Sequence, residues 1–436
     1  MARRSILSTL IALASLAFVL RVGAIFALHR WTAPNAIEHR TLALSLIKYH
    51  TFYFRDFNYF GPSSVQSPPY PFLLATLFRM FGPDSSASYI AAMLINSLAG
   101  ALTVWLTWKM VGAVGGSSAA ALVAAALVAI WPSQVYAATH VQAISLITLC
   151  IVAMIYLFQR SVQTGSPGAW IGYSIIGTLA ALTEPVLLPV VALSGLLILV
   201  WRGSLSIGQR ICNAAVLLAA ALLIIMPWTV RNRTVHDRWI PIKSTFWVNV
   251  WKANNDFATG TDRLELSEEK QAALRSGALS LSDRQLVDPR FDNQRQYDRL
   301  TPEQRARLEN QPEGVREEVF KEFATGWIAS HPARYLQLCL IRFGKTLWVD
   351  WDNPKSHNIL FWLSRAILLG LMVPGLVVTR RQHWSLLFAG LVAGSCLLTY
   401  TMTITAARFS LPLEPLALCL AAAFLAGGWR STPADR

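Results

Sequence analysis

Long apolar runs separated by short polar turns dominate the chain, and they predict a stack of membrane-spanning helices rather than a soluble core. A span needs ~20 mostly apolar residues, fewer where neighbouring helices shield it. On that rule spans fall near 6–28, 88–109, 116–132, 141–158, 170–184, 185–201, 211–228, 359–378, 385–404 and 411–429, about ten in all. The expected fold class is an all-α polytopic membrane protein. Met1-Ala-Arg-Arg ahead of the first run reads as the positive flank of an uncleaved span, because the run is long for a signal peptide and lacks a small-residue exit.

Two polar stretches interrupt this pattern and divide the chain. Residues 1–228 form an N-terminal transmembrane module whose first loop is 29–87, residues 229–358 form a polar segment, and residues 359–436 return to the membrane. In the first loop a helix is expected from Ala36 to Lys48, followed by the aromatic stretch Phe52 to Phe60. Ser67-Pro68-Pro69-Tyr70-Pro71 then fixes an extended approach to an apolar helix, Phe72 to Phe81, too short to span and suited to the interface. In the second segment residues 261–313 are polar, with few large apolar side chains to order them. Helix resumes at Thr301-Pro302, and Val315, Val319, Phe320, Phe323 and Trp327 make an apolar stripe that stops before His331-Pro332.

Charge adds orientation. Only 14% of the 436 residues are charged and 54% are hydrophobic, against ~25% charged in soluble proteins, which excludes an ordinary cytosolic enzyme. Of the 24 acids and 38 basic residues, 18 and 20 lie within 229–358, so the polar block is nearly neutral despite a net charge of +14. The remaining basic excess is scattered between apolar runs, which describes a membrane protein and not a nucleic-acid binder. With the N-terminus inside, Arg3, Arg4, Lys109, Arg160, Arg202, Arg210, Arg380, Arg381 and Arg430 all face the cytoplasm. Both polar segments then face outwards, and an even span count returns the C-terminus to the cytoplasm.

Few groups remain to carry chemistry. The acids outside 229–358 are Glu38, Asp56, Asp84, Glu184, Glu414 and Asp435, and all but the last lie at the outer face in this topology. Glu38 reads both as the N3 residue of a helix cap begun at Asn35 and as a catalytic acid. Asp56 beside Arg55 reads as an ion pair or a second acid. Arg231, Arg408, Lys243, Lys252 and Arg342 flank apolar or aromatic sequence near the outer interface, where they are placed either to grip a lipid phosphate or to snorkel. Arg21 lies within the first span and needs a partner. Tyr70, His50, Asn254 and Glu414 are candidates to line a substrate pocket. The five cysteines give no disulfide or metal framework, and the histidines show no HxH or HExxH spacing. No P-loop, GxGxxG or GxSxG motif occurs, so no cofactor is expected and a divalent metal has no support in the pattern.

Taken in order, the motifs resemble a family. Glu38-His39-Arg40-Thr41, Gly61-Pro62, Pro68-Pro69-Tyr70-Pro71 and Phe81-Gly82 resemble the first periplasmic loop of bacterial GT-C glycosyltransferases of the family 39, protein-mannosyltransferase-like type. Pro227-Trp228-Thr229-Val230-Arg231-Asn232, Ile240-Pro241, Trp251 and Asn254-Asn255 are similar to the family's next markers. Ile328-Ala329-Ser330-His331-Pro332 and Arg408-Phe409-Ser410-Leu411-Pro412-Leu413-Glu414-Pro415 resemble the later ones. The resemblance implies inverting transfer of a sugar from a polyprenyl-phosphate carrier to a glycan, lipid or protein acceptor, at the outer face of a bacterial cytoplasmic (inner) membrane. It puts Glu38 at the family's catalytic acid, although Ile37 stands where an Asp-Glu pair would have its first member. The rival expectation is a lipid or polysaccharide transporter or flippase without transferase chemistry. That reading calls for charge at mid-membrane and paired halves, and the chain has no internal repeat.

Overall fold

The structure, a computed structural model, describes residues 2–32, 34, 36–201, 205–261, 276, 297, 299–350, 353, 356 and 358–429. Asn35, Arg202, Arg430, Asp435 and most of the polar stretch 261–313 lie outside the described residues. Helices stand where spans are expected: α1 (Ala2–Leu28), α4 (Ser86–Ala113), α5 (Ser118–Ile130), α7 (Ile144–Thr164), α8 (Pro167–Thr183), α9 (Leu188–Val200) and α10 (Ile207–Ile224). Between α1 and α4 the first loop forms α2 (Ile37–Tyr49), a β-hairpin and α3 (Pro69–Phe81), and α6 (Pro132–Ala137) follows α5. The second polar segment gives α11 (Met226–His236), α12 (Phe246–Lys252), α13 (Pro302–Ala306), α14 (Glu313–Ser330) and α15 (Pro332–Leu347). The chain closes with α16 (Ile359–Thr379), α17 (His383–Met402) and α18 (Glu414–Leu425).

By length and composition, five of the described helices can cross a membrane: Ile6–Leu28, Ser86–Ala113, Ile144–Thr164, Ile207–Ile224 and Ile359–Thr379. Ser118–Ile130, Pro185–Val200, Leu386–Met402 and Leu411–Leu425 are apolar but shorter. Prolines explain part of the shortening. Pro132 ends α5, and Pro185, Pro412 and Pro415 open helical turns, since proline has no N–H and its ring clashes with the preceding turn.

The break at Pro132 also accounts for Arg21. Without an N–H at Pro132 the Val128 carbonyl loses its helical donor, and Arg21 Nη2 donates to it at 3.2 Å. Arg21 Nη1 donates to Ala129 O and Ala17 O, each at 3.0 Å, so this fully buried cation joins α1 to α5. Gly100 of α4 makes room: a Cβ there would lie 2.2 Å from Arg21 Nε.

One expectation of the all-α class is corrected. The aromatic stretch folds into an antiparallel hairpin, β1 (Tyr53–Asp56) and β2 (Tyr59–Pro62), with Asp56 opposite Tyr59. Both turn residues, Phe57 and Asn58, have positive φ, 46° and 60°, the turn geometry that matches strand twist. Asparagine tolerates that region. Phenylalanine does not, and Phe57 is held by its ring contact with Tyr297 at 4.3 Å and by Phe320 at 6.1 Å.

The hairpin joins the two polar segments. Asn310 N donates to Phe57 O at 2.8 Å, Ser244 N to Ser64 O at 3.0 Å, and Arg316 Nη1 to Asp56 O at 2.6 Å. The described residues of the two polar segments therefore pack against each other. Beneath the contact Val248, Trp251, Tyr297, Leu308, Val319 and Phe320 form a separate apolar core, which contains most of the predicted α14 stripe.

Candidate functional site

The N-terminus of α2 sets the acid. Ala36 is the residue before the helix and makes no side-chain cap, so Glu38 is the second helical residue rather than the N3 member of a capping box. The cap reading of Glu38 is thereby corrected. Its half-buried carboxylate accepts a hydrogen bond from Gln66 Nε2, across the first loop.

His39 follows on the same turn, with its ring 5.0 Å from that of Tyr70, the buried aromatic at the start of α3. Burial, then the charges of Lys243 and Arg408, push the His39 imidazole down to about 3, so it is neutral at any physiological pH. Among the described residues, the enclosed His39 Nδ1 has no hydrogen-bond partner. Two cations thus act on the residue next to Glu38. Lys243 Nζ lies 3.9 Å from Glu184 Oε1, at the end of α8. Arg408 is exposed, its guanidinium 5.6 Å from the Phe409 ring, and its side chain makes no hydrogen bond to a described residue.

A second group of charges gathers around Asp56. Its Oδ2 is 3.9 Å from Arg316 Nη1 and its Oδ1 accepts Phe57 N at 3.1 Å. Burial raises the Asp56 carboxyl, opposed by Arg316 and Lys252. Lys252 Nζ stands 5.7 Å from the Tyr297 ring. The Tyr297 phenol is pushed up by burial and then by the nearby Asp56 and Glu38 carboxylates. Tyr297 thus feels the charge of both Asp56 and Glu38, and no described group of three His, Cys, Asp or Glu residues, Glu38, His39 and Asp56 included, could hold a metal ion.

Several expected site residues have other roles. Arg342 is fully buried and donates to Thr401 O at 2.6 Å, Ala253 O at 2.9 Å and Asn254 Oδ1 at 3.1 Å. Its donors are engaged within the protein, and Asn254 serves the same junction through its Nδ2 bond to Val250 O at 2.7 Å. Glu414, expected in the substrate pocket, is enclosed between α6, α16 and α18. It accepts Ser133 Oγ at 2.5 Å and Gln134 Nε2 at 2.7 Å, and Arg365 Nη2 lies 3.3 Å away. His50 terminates α2 with a φ of 58° and is exposed, so it acts as a helix stop. Arg231 stacks at 4.8 Å on Trp228 and donates to Ser63 O and Ser64 Oγ, each at 2.8 Å. It anchors the first loop.

Gln66, Ser63, Ser64 and Glu313 were not singled out from the sequence. They lie in ordinary polar runs beside proline or glycine, and their roles arise from contacts between distant segments.

Residues 65–230 match the family model of dolichyl-phosphate-mannose-protein mannosyltransferases. No curated protein sequence matches the chain. Among solved structures, the oligosaccharyltransferase AglB of Archaeoglobus fulgidus, in complex with an inhibitory peptide and a dolichol-phosphate, is similar with a TM-score of 0.53 and 13% identity over 97% of this chain. This chain spans about half of AglB, 50% of its length. ArnT from Cupriavidus metallidurans, bound to undecaprenyl phosphate, aligns over 94% of this chain and 77% of its own at 11% identity and a TM-score of 0.43. The chain shares the fold of AglB, and part of it, residues 65–230, matches the mannosyltransferase family model.

Proposed function

We propose that the protein is an inverting glycosyltransferase that moves a sugar from a polyprenyl-phosphate carrier to an acceptor hydroxyl at the outer face of a bacterial cytoplasmic membrane. The observation that carries this reading is a half-buried carboxylate, Glu38, whose neighbour in the chain lies in reach of two cationic side chains. Glu38 is held by Gln66, and the fields of Lys243 and Arg408 converge on its neighbour His39. The mannosyltransferase family match over residues 65–230, and the dolichol-phosphate bound by the structurally similar AglB, support a lipid-phosphate donor.

In this reading Glu38 takes the proton of the acceptor hydroxyl as its oxygen attacks the anomeric carbon. The bond from that carbon to the carrier phosphate breaks, its electron pair passes to the phosphate oxygen, and attack opposite the leaving group inverts the centre. Lys243 and Arg408 stabilise the charge that grows on the phosphate, where hydrogen bonds to an ionised group are strongest. Neutral His39 adds no charge and leaves the two cations to the phosphate.

Membranes containing the protein, incubated with a panel of labelled undecaprenyl-phosphate sugars, test this directly. Transfer of label from one carrier to an acceptor is expected. Movement of labelled carrier across the membrane with no transfer would favour a transporter instead.

A further inference from the structure

Among the links from the second polar segment to the first, one is a buried carboxylate. Glu313 opens α14 and is buried, with both oxygens in use. Oε1 accepts Ser64 N at 2.6 Å and the Ser244 hydroxyl, and Oε2 accepts Ser63 Oγ at 2.6 Å. His236 Nε2 lies 3.7 Å from Oε1 and 2.8 Å from Ser64 Oγ, which also donates to Asn232 Oδ1 at 2.7 Å. Burial holds the His236 imidazole below its ordinary value against the pull of Glu313. This approach requires Gly314, since a Cβ there would lie 2.9 Å from the His236 carbonyl oxygen.

The bonded serines continue directly to the residue that holds the acid. Ser63 Oγ accepts Val65 N at 3.1 Å, and Gln66, next in the chain, donates to Glu38. The Val65 N–Ser63 Oγ bond ties the residue before Gln66 to Ser63, so orientation imposed at Ser63 and Ser64 is carried to the base of Gln66.

We propose that Glu313 is a positioning residue: by fixing Ser63 and Ser64 it fixes Gln66, and through Gln66 it aims the Glu38 carboxylate. Glu313 touches no substrate. It makes the catalytic geometry of the first loop depend on docking of the second polar segment. The proposal rests on the reading of Glu38 as the base, but its structural half can be judged without it.

Hydrogen–deuterium exchange on the purified full chain tests that half. Glu313→Ala is expected to speed exchange at the Ser64 amide by about tenfold or more, the scale of a lost hydrogen bond to a carboxylate, while α1 and α4 are unchanged. Unaltered exchange over 59–68 would overturn the proposal whatever the activity. Kinetics test the other half through a double-mutant cycle. Glu313→Ala and Gln66→Ala are each expected to lower kcat about tenfold with donor KM within about twofold, and together to lower it little further. A combined loss of about a hundredfold, the product of independent effects, would contradict action through Gln66. If Glu313→Ala fails to fold, Ser63→Ala removes one arm of the same link and takes its place in the cycle. A parent protein that transfers no sugar refutes the functional reading, and the exchange result then decides the structural link alone.

Discussion

Gln66 Nε2 donates to the Glu38 carboxylate across 28 positions of the first loop, and this bond joins the start of α2 to the turn before α3. A helix-capping carboxylate would point at backbone amides of its own first turn. This one points away from them, toward the segment that the second polar region holds in place.

The carrier phosphate is expected to depend on Lys243 and Arg408, and not on Arg342. Replacing either of the first two with alanine should weaken binding of labelled undecaprenyl phosphate by roughly tenfold or more, as for a charge-assisted hydrogen bond. Arg408→Lys should recover part of the loss, because it restores charge without the planar fork. Equal affinity in both alanine variants would move the phosphate elsewhere.

Arg342→Ala tests the opposite role. It strips donors from Thr401 O, Ala253 O and Asn254 Oδ1 inside the protein, at ~1–3 kcal/mol for each orphaned acceptor. A lower thermal midpoint is expected, with donor affinity per folded molecule unchanged. A stable variant with weakened donor binding would return Arg342 to the phosphate site.

Glu317 predicts a pH dependence. Its carboxyl, buried beside the apolar core of the second segment, is pushed up to about 8, and Oε2 accepts Trp247 N at 3.0 Å. An acid whose folded value exceeds its unfolded value binds more protons when folded, so its contribution is fullest below the unfolded value of 4.5 and is lost as pH rises toward 8. Thermal midpoints of Glu317→Gln should therefore fall less than those of the parent between pH 5 and pH 8. Parallel curves for the two proteins would show that Glu317 does not titrate in that window.

Gly314→Ala should lower the thermal midpoint, by about 1–3 kcal/mol of overpacking, because the added methyl meets the His236 backbone rather than a movable side chain. Gly326→Ala in the same helix meets nothing within 4 Å and serves as the control.

The helical bundle was largely legible because apolar length is a strong signal, and α14 was legible because its stripe repeats at helical spacing. Arg21 could be flagged as needing a partner, but not matched, since two of its acceptors, Val128 O and Ala129 O, lie at the break before Pro132, more than a hundred residues away. The hairpin escaped notice because its turn is Phe57-Asn58 rather than Asn-Gly, and tertiary contact with Tyr297 stabilises what local preference opposes. Glu38, Lys243 and Arg408 could be named as candidates from residue type and motif order. Arg231, Arg342 and Glu414 carry the same sequence signal, and what sets them apart is the partners they meet within the protein.

The most direct test of the account is sugar transfer by Glu38→Gln. The amide keeps size and hydrogen bonding to the loop but cannot accept the acceptor's proton, and a positioned base contributes ~10² to 10⁴ in rate. The account predicts a folded protein with parental donor affinity and a loss of kcat within that range. Transfer within about threefold of the parent would show that Glu38 is not the base, and would direct attention to Asp56.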